Sequence, residues 1–249
     1  MSRWFYVPSP KQQPRLRLFC FPYAGGRPSV FRGWPERLPN GVELCAITLP
    51  GRGSRDHEAP ESDIFSIASE LADAIGQRSD ARFAFFGHSM GALLAYEVAR
   101  ELRARGQALP VHLFLSARCA AHCVAPRTTP VDAMSNDDLV EHLTALGGTP
   151  REILNDSRVM NIIMPMIRAD FRALDRWRYR RQRPLRIPIS ALAGRGDATV
   201  DVDSVREWRQ HTESEFRFYI LEGAHFFLHS EEPALLNLIV RTLQDDAWI

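Results

Sequence analysis

The chain has 249 residues, a formal net charge of +1 at pH 7, and a hydrophobic content of 45%. This composition is that of a globular protein with a large core, and the near-neutral charge gives no indication of binding to nucleic acid. The first residues lack the apolar core of a signal peptide, and no apolar run is long enough to cross a bilayer. We therefore expect a single domain over residues 1–249, located in the cytoplasm and in contact with neither membrane nor nucleic acid.

Six short runs, apolar on both faces, are typical of strands in a sheet that helices cover on both sides. These runs are Leu16–Phe21, Val42–Leu49, Arg82–Phe86, Val111–Ser116, Ile187–Ala193 and Phe216–Leu221. Amphipathic stretches typical of helices alternate with them, at Asp63–Gln77, Met90–Arg105, Val202–His211 and Glu232–Gln244. This alternation predicts an α/β fold with a mostly parallel sheet and right-handed crossovers.

The alternation stops between about residues 120 and 184, a gap far longer than one crossover needs. Ser135 and Asp138 form a capping-box pattern ahead of an apolar run, and Pro150 suits the first turn of a second helix. A third helical run, Val159 to Tyr179, contains Pro165, which should end or kink it. Segments inserted at the carboxyl end of a parallel strand lie over the active site, so we expect a helical lid there.

The most informative motif is Gly87-His88-Ser89-Met90-Gly91, which leaves a predicted strand and enters a predicted helix. A serine at such a sharp turn has its hydroxyl exposed above the sheet, with a helix N-terminus beneath it. The two glycines are needed because the turn brings strand and helix backbones too close for a β-carbon. We predict that Ser89 is a nucleophile and that His88, whose side chain should point away from it, is a structural support.

A serine nucleophile needs a base. In folds that place the serine at a strand-to-helix turn of a parallel sheet, the base is a histidine that follows both the serine and the acid along the chain. Three histidines follow the insertion. His225 directly follows the last predicted strand, which places it at the same sheet edge as the serine. His211 ends a predicted helix and His229 lies near the start of the final one, so we predict that His225 is the base.

The acid that orients this histidine should follow the preceding strand. Asp197 does so, after a glycine-bearing turn. Asp201 and Asp203 are rivals, but they better suit the cap of the helix that starts near Val202. We predict that Asp197 is the acid, with a simple turn residue as the alternative.

Hydrolysis by a serine also needs two backbone N–H groups to bind the oxyanion. One should come from Met90, the residue after the nucleophile, and the other from the loop after an early strand. Gly25-Gly26 lies in such a loop, and we assign the second donor to Ala24. These glycines could also suggest a dinucleotide loop, but the Gly-x-Gly-x-x-Gly pattern is absent.

The cysteines give no evidence for a metal site. Cys20 and Cys45 lie inside predicted strands, where buried free thiols are the expected state. Cys119 and Cys123, with His122 between them, lack a second ligand pair at zinc spacing. We therefore expect free thiols in a reducing compartment, and no metal.

With these residues placed, the chain resembles the stand-alone type II thioesterases of polyketide and nonribosomal peptide assembly lines, over roughly Leu16 to Leu243. The matching segments are Phe21-Pro22-Tyr23-Ala24-Gly25-Gly26, Leu49-Pro50-Gly51-Arg52-Gly53, Gly87-His88-Ser89-Met90-Gly91, Leu146-Gly147-Gly148-Thr149-Pro150, Arg168-Ala169-Asp170-Phe171, Gly194-Arg195-Gly196-Asp197 and His225-Phe226-Phe227-Leu228. Ala224 stands where the family usually has glycine, a small change that leaves the triad intact.

The resemblance implies an α/β-hydrolase fold with a triad of Ser89, Asp197 and His225 and oxyanion donors at Ala24 and Met90. It implies hydrolysis of aberrant or stalled acyl groups from the phosphopantetheine arm of an acyl or peptidyl carrier protein, the transient partner. No cofactor is implied, since the substrate itself carries the phosphopantetheine. We expect a monomer. The alternatives are a general carboxylesterase or lipase, a releasing or cyclising thioesterase, and an inactive acyl-binding module.

Three further segments each allow two interpretations. The methionine-rich run Met160–Ile167 is either the wall of an acyl chamber or ordinary helix packing. The basic run Arg176–Arg183 either docks an acidic carrier protein or is a solvated face with Trp177 packed inward. Arg52 and Arg55 either border the site or anchor their own loop.

Overall fold

The structure, a computed structural model, describes residues 3–78, 80–124 and 128–249. Its strands are Phe5–Tyr6 (β1), Leu16–Phe21 (β2), Val42–Ile47 (β3), Arg82–His88 (β4), Leu113–Ser116 (β5), Ile189–Gly194 (β6) and Phe216–Leu221 (β7). They form a seven-stranded sheet in the order β1-β3-β2-β4-β5-β6-β7. Strand β1 runs antiparallel to β3, and every other neighbouring pair in the sheet is parallel.

Helices connect these strands and cover both faces of the sheet. They are Ile64–Gly76 (α1), Met90–Ala104 (α2), Asn136–Leu146 (α3), Arg151–Leu154 (α4), Ser157–Arg176 (α5), Val202–Arg206 (α6), Phe227–Ser230 (α7) and Glu232–Asp245 (α8). Helices α3, α4 and α5 all lie between β5 and β6, which is the predicted insertion. Helix α3 has the predicted capping box of Ser135 and Asp138.

The core has two parts because alternate side chains of the central strands point to opposite faces of the sheet. Phe19 and Phe85 pack in the part that α1 and α2 cover. Leu18 and Phe86 pack in the part that α8 covers, together with Trp34. The central strands are therefore buried on both sides, and only their ends are available to carry polar groups.

The six predicted strands are confirmed, with ends that differ by up to two residues. Strand β1 was not predicted from the sequence. This strand has only two residues, and its pairing of Phe5 with Ile47 and Tyr6 with Ala46 is antiparallel and at the sheet edge. A two-residue strand has no periodicity that a sequence pattern can reveal.

Pro165 was predicted to end or kink its helix, and the first of these outcomes is wrong, because Pro165 lies inside α5, which spans 20 residues in all. Proline removes one backbone hydrogen bond, which leaves the carbonyl of Asn161 without its helical donor. Asn161 and Pro165 are both exposed, so water can solvate that carbonyl. The helix ends at Arg176 rather than at the predicted Tyr179.

Within the described residues, no helix is both long enough and apolar enough to cross a membrane. The same part of the chain contains no group of three or more histidine, cysteine, aspartate or glutamate side chains placed to hold a metal ion. Cys20 and Cys45 are buried free thiols in β2 and β3, as predicted.

Candidate active site

Ser89 lies at the sharp turn between β4 and α2. Its backbone has φ 54° and ψ −114°, a conformation that non-glycine residues rarely adopt and that proteins retain at functional sites. The Ser89 N–H donates to the carbonyl of Ser116 at 2.8 Å, which fixes the turn against β5. A β-carbon at Gly87 would overlap the Gly91 backbone, and one at Gly91 would overlap the carbonyl of Phe21. The predicted need for both glycines is confirmed.

The structure brings the three predicted triad side chains into one hydrogen-bonded chain. The Nε2 atom of His225 lies 3.0 Å from Oγ of Ser89. Its Nδ1 atom lies 2.7 Å from Oδ2 of Asp197. Asp197 follows β6 and His225 follows β7, so three parallel strands, β4, β6 and β7, deliver these groups to one edge of the sheet. Such an arrangement allows the imidazole to accept the serine proton while a carboxylate holds its other nitrogen.

Both oxygens of the Asp197 carboxylate are occupied by hydrogen bonds. Oδ1 accepts from the Thr199 N–H at 2.8 Å, from the Thr199 hydroxyl at 2.7 Å and from the Val200 N–H at 3.2 Å. Burial raises the pKa of Asp197, but its hydrogen bond to His225, the charge of His225 and the bonds from Thr199 outweigh this, so its pKa lies below the ordinary value. The carboxylate is therefore ionised at neutral pH.

Thr199 is a site residue that the sequence analysis did not identify. Its hydroxyl lies 3.0 Å from Nδ1 of His225 as well as against Asp197, so it contacts both members of the pair. The Asp-x-Thr spacing is a common side-chain-to-backbone turn, and it is the only signal in the sequence that could have indicated this contact.

The side chain of His88 points away from Ser89, as predicted, and makes structural contacts with Ser116 and with the backbone of His225. Its Nε2–H donates to the backbone carbonyl of His225 at 2.9 Å, and its Nδ1 accepts from the hydroxyl of Ser116 at 3.0 Å. Complete burial, followed by the proximity of His225, holds the pKa of His88 well below its usual range. The carbonyl needs a donor and the hydroxyl needs an acceptor, so the ring of His88 is neutral and carries its proton on Nε2.

The rival residues lie elsewhere and have structural partners. The Asp201 carboxylate caps α6 by accepting from the Ser204 N–H at 2.9 Å, as predicted. The ring of His229 bonds to the hydroxyl of Tyr23 at 3.1 Å. His211 is buried between the Tyr96 hydroxyl at 2.7 Å and His122 at 2.8 Å.

Burial, followed by the charges of His122 and Arg100, lowers the pKa of His211 from 6.5 to about 4. At this residue, the unfolded chain therefore binds up to one more proton than the folded chain between these two pH values. We expect the free energy of unfolding to fall as the pH falls through this window. In His211→Gln, this slope should be shallower by up to about 1.4 kcal/mol per pH unit, measured by denaturant unfolding at a series of pH values. His57→Gln is the control, since the His57 side chain is 75% exposed. An unchanged slope in His211→Gln would contradict this prediction.

Residues 24–26, which we call the oxyanion loop because we predict that it supplies an oxyanion donor, follow β2 and lie beside Ser89. Ala24 and Ser89 line the same cavity. The Met90 N–H is at the first turn of α2. Neither the Ala24 nor the Met90 N–H donates to another described residue, so both remain available to a ligand. The next N–H along the loop, that of Gly25, is already donated to the carboxylate of Asp170 at 2.7 Å.

Ser89 and His225 open into a cavity of about 940 Å³. Its apolar lining comes mainly from the insertion: Leu143, Leu146, Ile153, Val159, Ile163, Met166, Ile167, Phe171 and Leu174. Both interpretations of Met160–Ile167 apply. Ile163, Met166 and Ile167 line the cavity. Met160 and Met164 pack in the core, to which Met166 and Ile167 also belong. The cavity lining also includes Arg27 and Arg118 but no carboxylate among the described residues.

Arg52 and Arg55 anchor their loop and do not line the cavity in the described structure. Arg52 pairs with Asp170, while Arg55 pairs with Glu58 at 2.6 Å. Asp170 belongs to the family-matching segment Arg168–Phe171, but no role was predicted for it from the sequence. The available signal was an acidic residue on the apolar face of an amphipathic helix, where charged residues are rare unless they are paired.

Trp177, in the basic run, packs inward as the structural alternative predicted. Its indole N–H donates to the carboxylate of Glu97 at 3.1 Å. Arg181 and Arg183 are exposed beside it. The run therefore combines a buried anchor with a solvated basic surface.

A model of the thioesterase domain family matches residues 16–243 of the chain. The chain is 37% identical to the linear gramicidin dehydrogenase LgrE of Brevibacillus parabrevis, over 98% of this chain and 93% of that protein. It is 35% identical to the gramicidin S biosynthesis protein GrsT of Aneurinibacillus migulanus, over 98% of this chain and 95% of that protein. The solved structure of BorB, the type II thioesterase from the borrelidin biosynthetic cluster, superposes with a TM-score of 0.88 at 34% identity, covering 96% of this chain and 97% of that one.

The sheet order and the solved relative define an α/β hydrolase. The chain belongs to the thioesterase domain family, and is a hydrolase that acts on thioesters. Its similarity to type II thioesterases extends over nearly its whole length.

Proposed function

We propose that this thioesterase releases acyl groups from the phosphopantetheine arm of a carrier protein through an acyl-serine intermediate. The observation that carries the proposal is the hydrogen-bonded chain from Asp197 through His225 to Ser89, which opens into a large apolar cavity. In this role the chain acts as a monomer in transient contact with the carrier, and it removes aberrant or stalled acyl units.

Acylation begins when Ser89 Oγ attacks the thioester carbonyl carbon and Nε2 of His225 takes its proton. Asp197 stabilises the resulting imidazolium, and the N–H groups of Ala24 and Met90 bind the oxyanion. The tetrahedral intermediate then collapses. The carbon–sulfur bond breaks, the thiolate leaves with the proton from His225, and the acyl group remains on Ser89.

Deacylation repeats this sequence with water as the nucleophile. His225 takes a proton from the water as it attacks the acyl-serine, and then returns that proton to Oγ of Ser89 as the acid is released. Each transferred proton moves between His225 and one of three partners, which are Ser89, the leaving thiolate and the attacking water. The proposed mechanism uses no cofactor.

The cavity supports an acyl thioester as the substrate. Its apolar wall from α3 to α5 suits an acyl chain, and the flexible side chain of Met166 can adapt to different chain shapes. Arg27 and Arg118 in the lining favour an anionic arm such as phosphopantetheine, because an arginine binds phosphate oxygens well. In this interpretation the insertion is the lid of the site.

The relatives support a place in peptide or polyketide biosynthesis. GrsT is named for gramicidin S biosynthesis and BorB for the borrelidin cluster. LgrE is named a dehydrogenase. A dehydrogenase function is disfavoured for this chain, since its glycine loop lacks the Gly-x-Gly-x-x-Gly pattern, whereas its serine, histidine and aspartate form a hydrolytic constellation.

The remaining rival is a general carboxylesterase with the same triad. The experiment compares kcat/KM for three hexanoyl substrates. The hexanoyl group is attached to an acidic carrier protein, to free pantetheine or to p-nitrophenol. We expect the carrier-bound thioester to be preferred. Its kcat/KM should also fall about tenfold or more between 50 and 200 mM salt, while the free thioester shows little change, because docking to a basic surface is screened by salt.

The paired variant Arg181→Gln/Arg183→Gln tests whether the basic run contributes to docking. Its matched control is Arg186→Gln/Arg195→Gln, which removes two exposed arginines elsewhere. Only the variant Arg181→Gln/Arg183→Gln should lose the preference for the carrier-bound substrate. Preference for the p-nitrophenyl ester over both thioesters would instead favour the carboxylesterase.

A further inference from the structure

A buried ion pair joins the loop after β3 to the insertion. The two guanidinium Nη atoms of Arg52 donate to the two carboxylate oxygens of Asp170 at 2.8 and 2.6 Å. Each side chain is only 1% exposed. Neither residue is among the described residues that line the cavity, so neither is placed to touch an acyl substrate.

This pair binds two backbone groups of the oxyanion loop, which lie on either side of the Gly25–Gly26 peptide. The Asp170 carboxylate accepts from the Gly25 N–H at 2.7 Å. Arg52 donates to the Gly26 carbonyl at 3.0 Å. Because the Gly25 N–H points to Asp170, the orientation of the adjoining peptide that carries the Ala24 N–H is restricted as well. A bidentate, charge-assisted pair fixes direction as well as distance.

A second residue of the same helix lies close to the same glycine. Gly25 has a φ of +76°, and a β-carbon built on it would lie 3.2 Å from Cγ1 of Ile167. Ile167 and Asp170 are three residues apart on α5 and so lie on one face of the helix. Ile163, Met166 and Ile167 on that helix also form the cavity wall.

We propose that Asp170 and Arg52 are positioning residues that fix the oxyanion loop to α5, so that the acyl-binding wall and the oxyanion hole form one rigid unit. A buried pair of this kind contributes little net stability compared with apolar residues of similar size. Its effect lies in geometry. The pair acts through the Ala24 N–H, and the inference rests on the proposed acyl-serine chemistry.

The test separates binding of the transition state from binding of the ground state. Hydrolysis of hexanoyl-pantetheine gives kcat and KM. A six-carbon trifluoromethyl ketone measures oxyanion stabilisation, since Ser89 Oγ adds to its carbonyl carbon, the proton passes to His225 and the oxygen becomes an oxyanion. A pantetheine thioether without a carbonyl measures ground-state binding. In Asp170→Asn we expect kcat and affinity for the ketone both to fall about 100-fold. KM and thioether affinity should change less than about threefold.

Two further variants keep the result independent of folding. Glu43→Gln disrupts another buried arginine–carboxylate pair, with Arg17 at 2.8 Å, near the start of β2 and β3 and away from the site. This variant should lower the melting temperature without lowering the affinity for the ketone. The double variant Arg52→Met/Asp170→Leu replaces the pair by apolar side chains. It should fold, yet should still lose ketone affinity, because the Gly25 N–H has no acceptor.

The inference is overturned if Asp170→Asn binds the ketone as tightly as the wild type. It is also overturned if Glu43→Gln, at an equal loss of melting temperature, loses as much affinity for the ketone as Asp170→Asn does. A fluorophosphonate probe identifies a failure of the underlying chemistry. If Ser89 of the wild type is not labelled, the proposed function fails first. If Ser89 is labelled and only the Asp170 results disagree, the positioning role alone is wrong.

Discussion

Replacing Ser89 by alanine is expected to lower kcat by about 10⁶-fold, to near the background rate, because the proposed acyl intermediate forms on its Oγ. Among the described residues, the Ser89 side chain hydrogen-bonds to His225 alone, so its loss should leave the fold intact. Release of pantetheine thiol from an acyl-pantetheine measures the rate. Circular dichroism and the melting temperature report the fold.

A fluorophosphonate probe should label the wild type once and Ser89→Ala not at all. Ser66→Ala on α1 is the matched control, since it removes a serine hydroxyl that does not line the described cavity and should keep full labelling and rate. Hydrolysis retained in a folded Ser89→Ala protein would end the assignment of Ser89 as the nucleophile.

Replacing Asp197 by asparagine is expected to lower kcat by about 10⁴-fold near pH 7. The structure gives a specific reason. The N–H groups of Thr199 and Val200 and the Thr199 hydroxyl all point to Oδ1, so an oxygen must stay there. The amide nitrogen of asparagine then faces Nδ1 of His225 and donates to it. The imidazole is held with its proton on Nε2, where it cannot accept the proton of Ser89.

The control for this variant is Asp201→Asn, four residues further along. Asp201 caps α6 and makes no contact with the triad within the described structure, so its replacement should change kcat by less than about threefold. Steady-state rates between pH 6 and 9 measure both variants. Equal losses in the two would show that Asp197 stabilises its turn and does not orient His225.

Much of this protein follows from the sequence because local patterns carry it. The alternation of apolar strands and amphipathic helices determined a parallel α/β sheet, and the glycines beside Ser89 determined the turn between β4 and α2. The placement of Asp197 and His225 also followed from sequence. In a parallel sheet, residues that directly follow strands are brought to one edge wherever they lie in the chain.

Other features depend on contacts between distant segments, which no local pattern encodes. Strand β1 exists because Phe5 and Tyr6 find a partner in β3, and α5 passes Pro165 because that residue faces water. The pairing of Arg52 with Asp170 joins residues 118 positions apart. The sequence by itself determined which chemical groups this protein carries and which sheet edge collects them. Only the tertiary structure decided how the oxyanion loop is held, since a buried charge must find its partner in three dimensions.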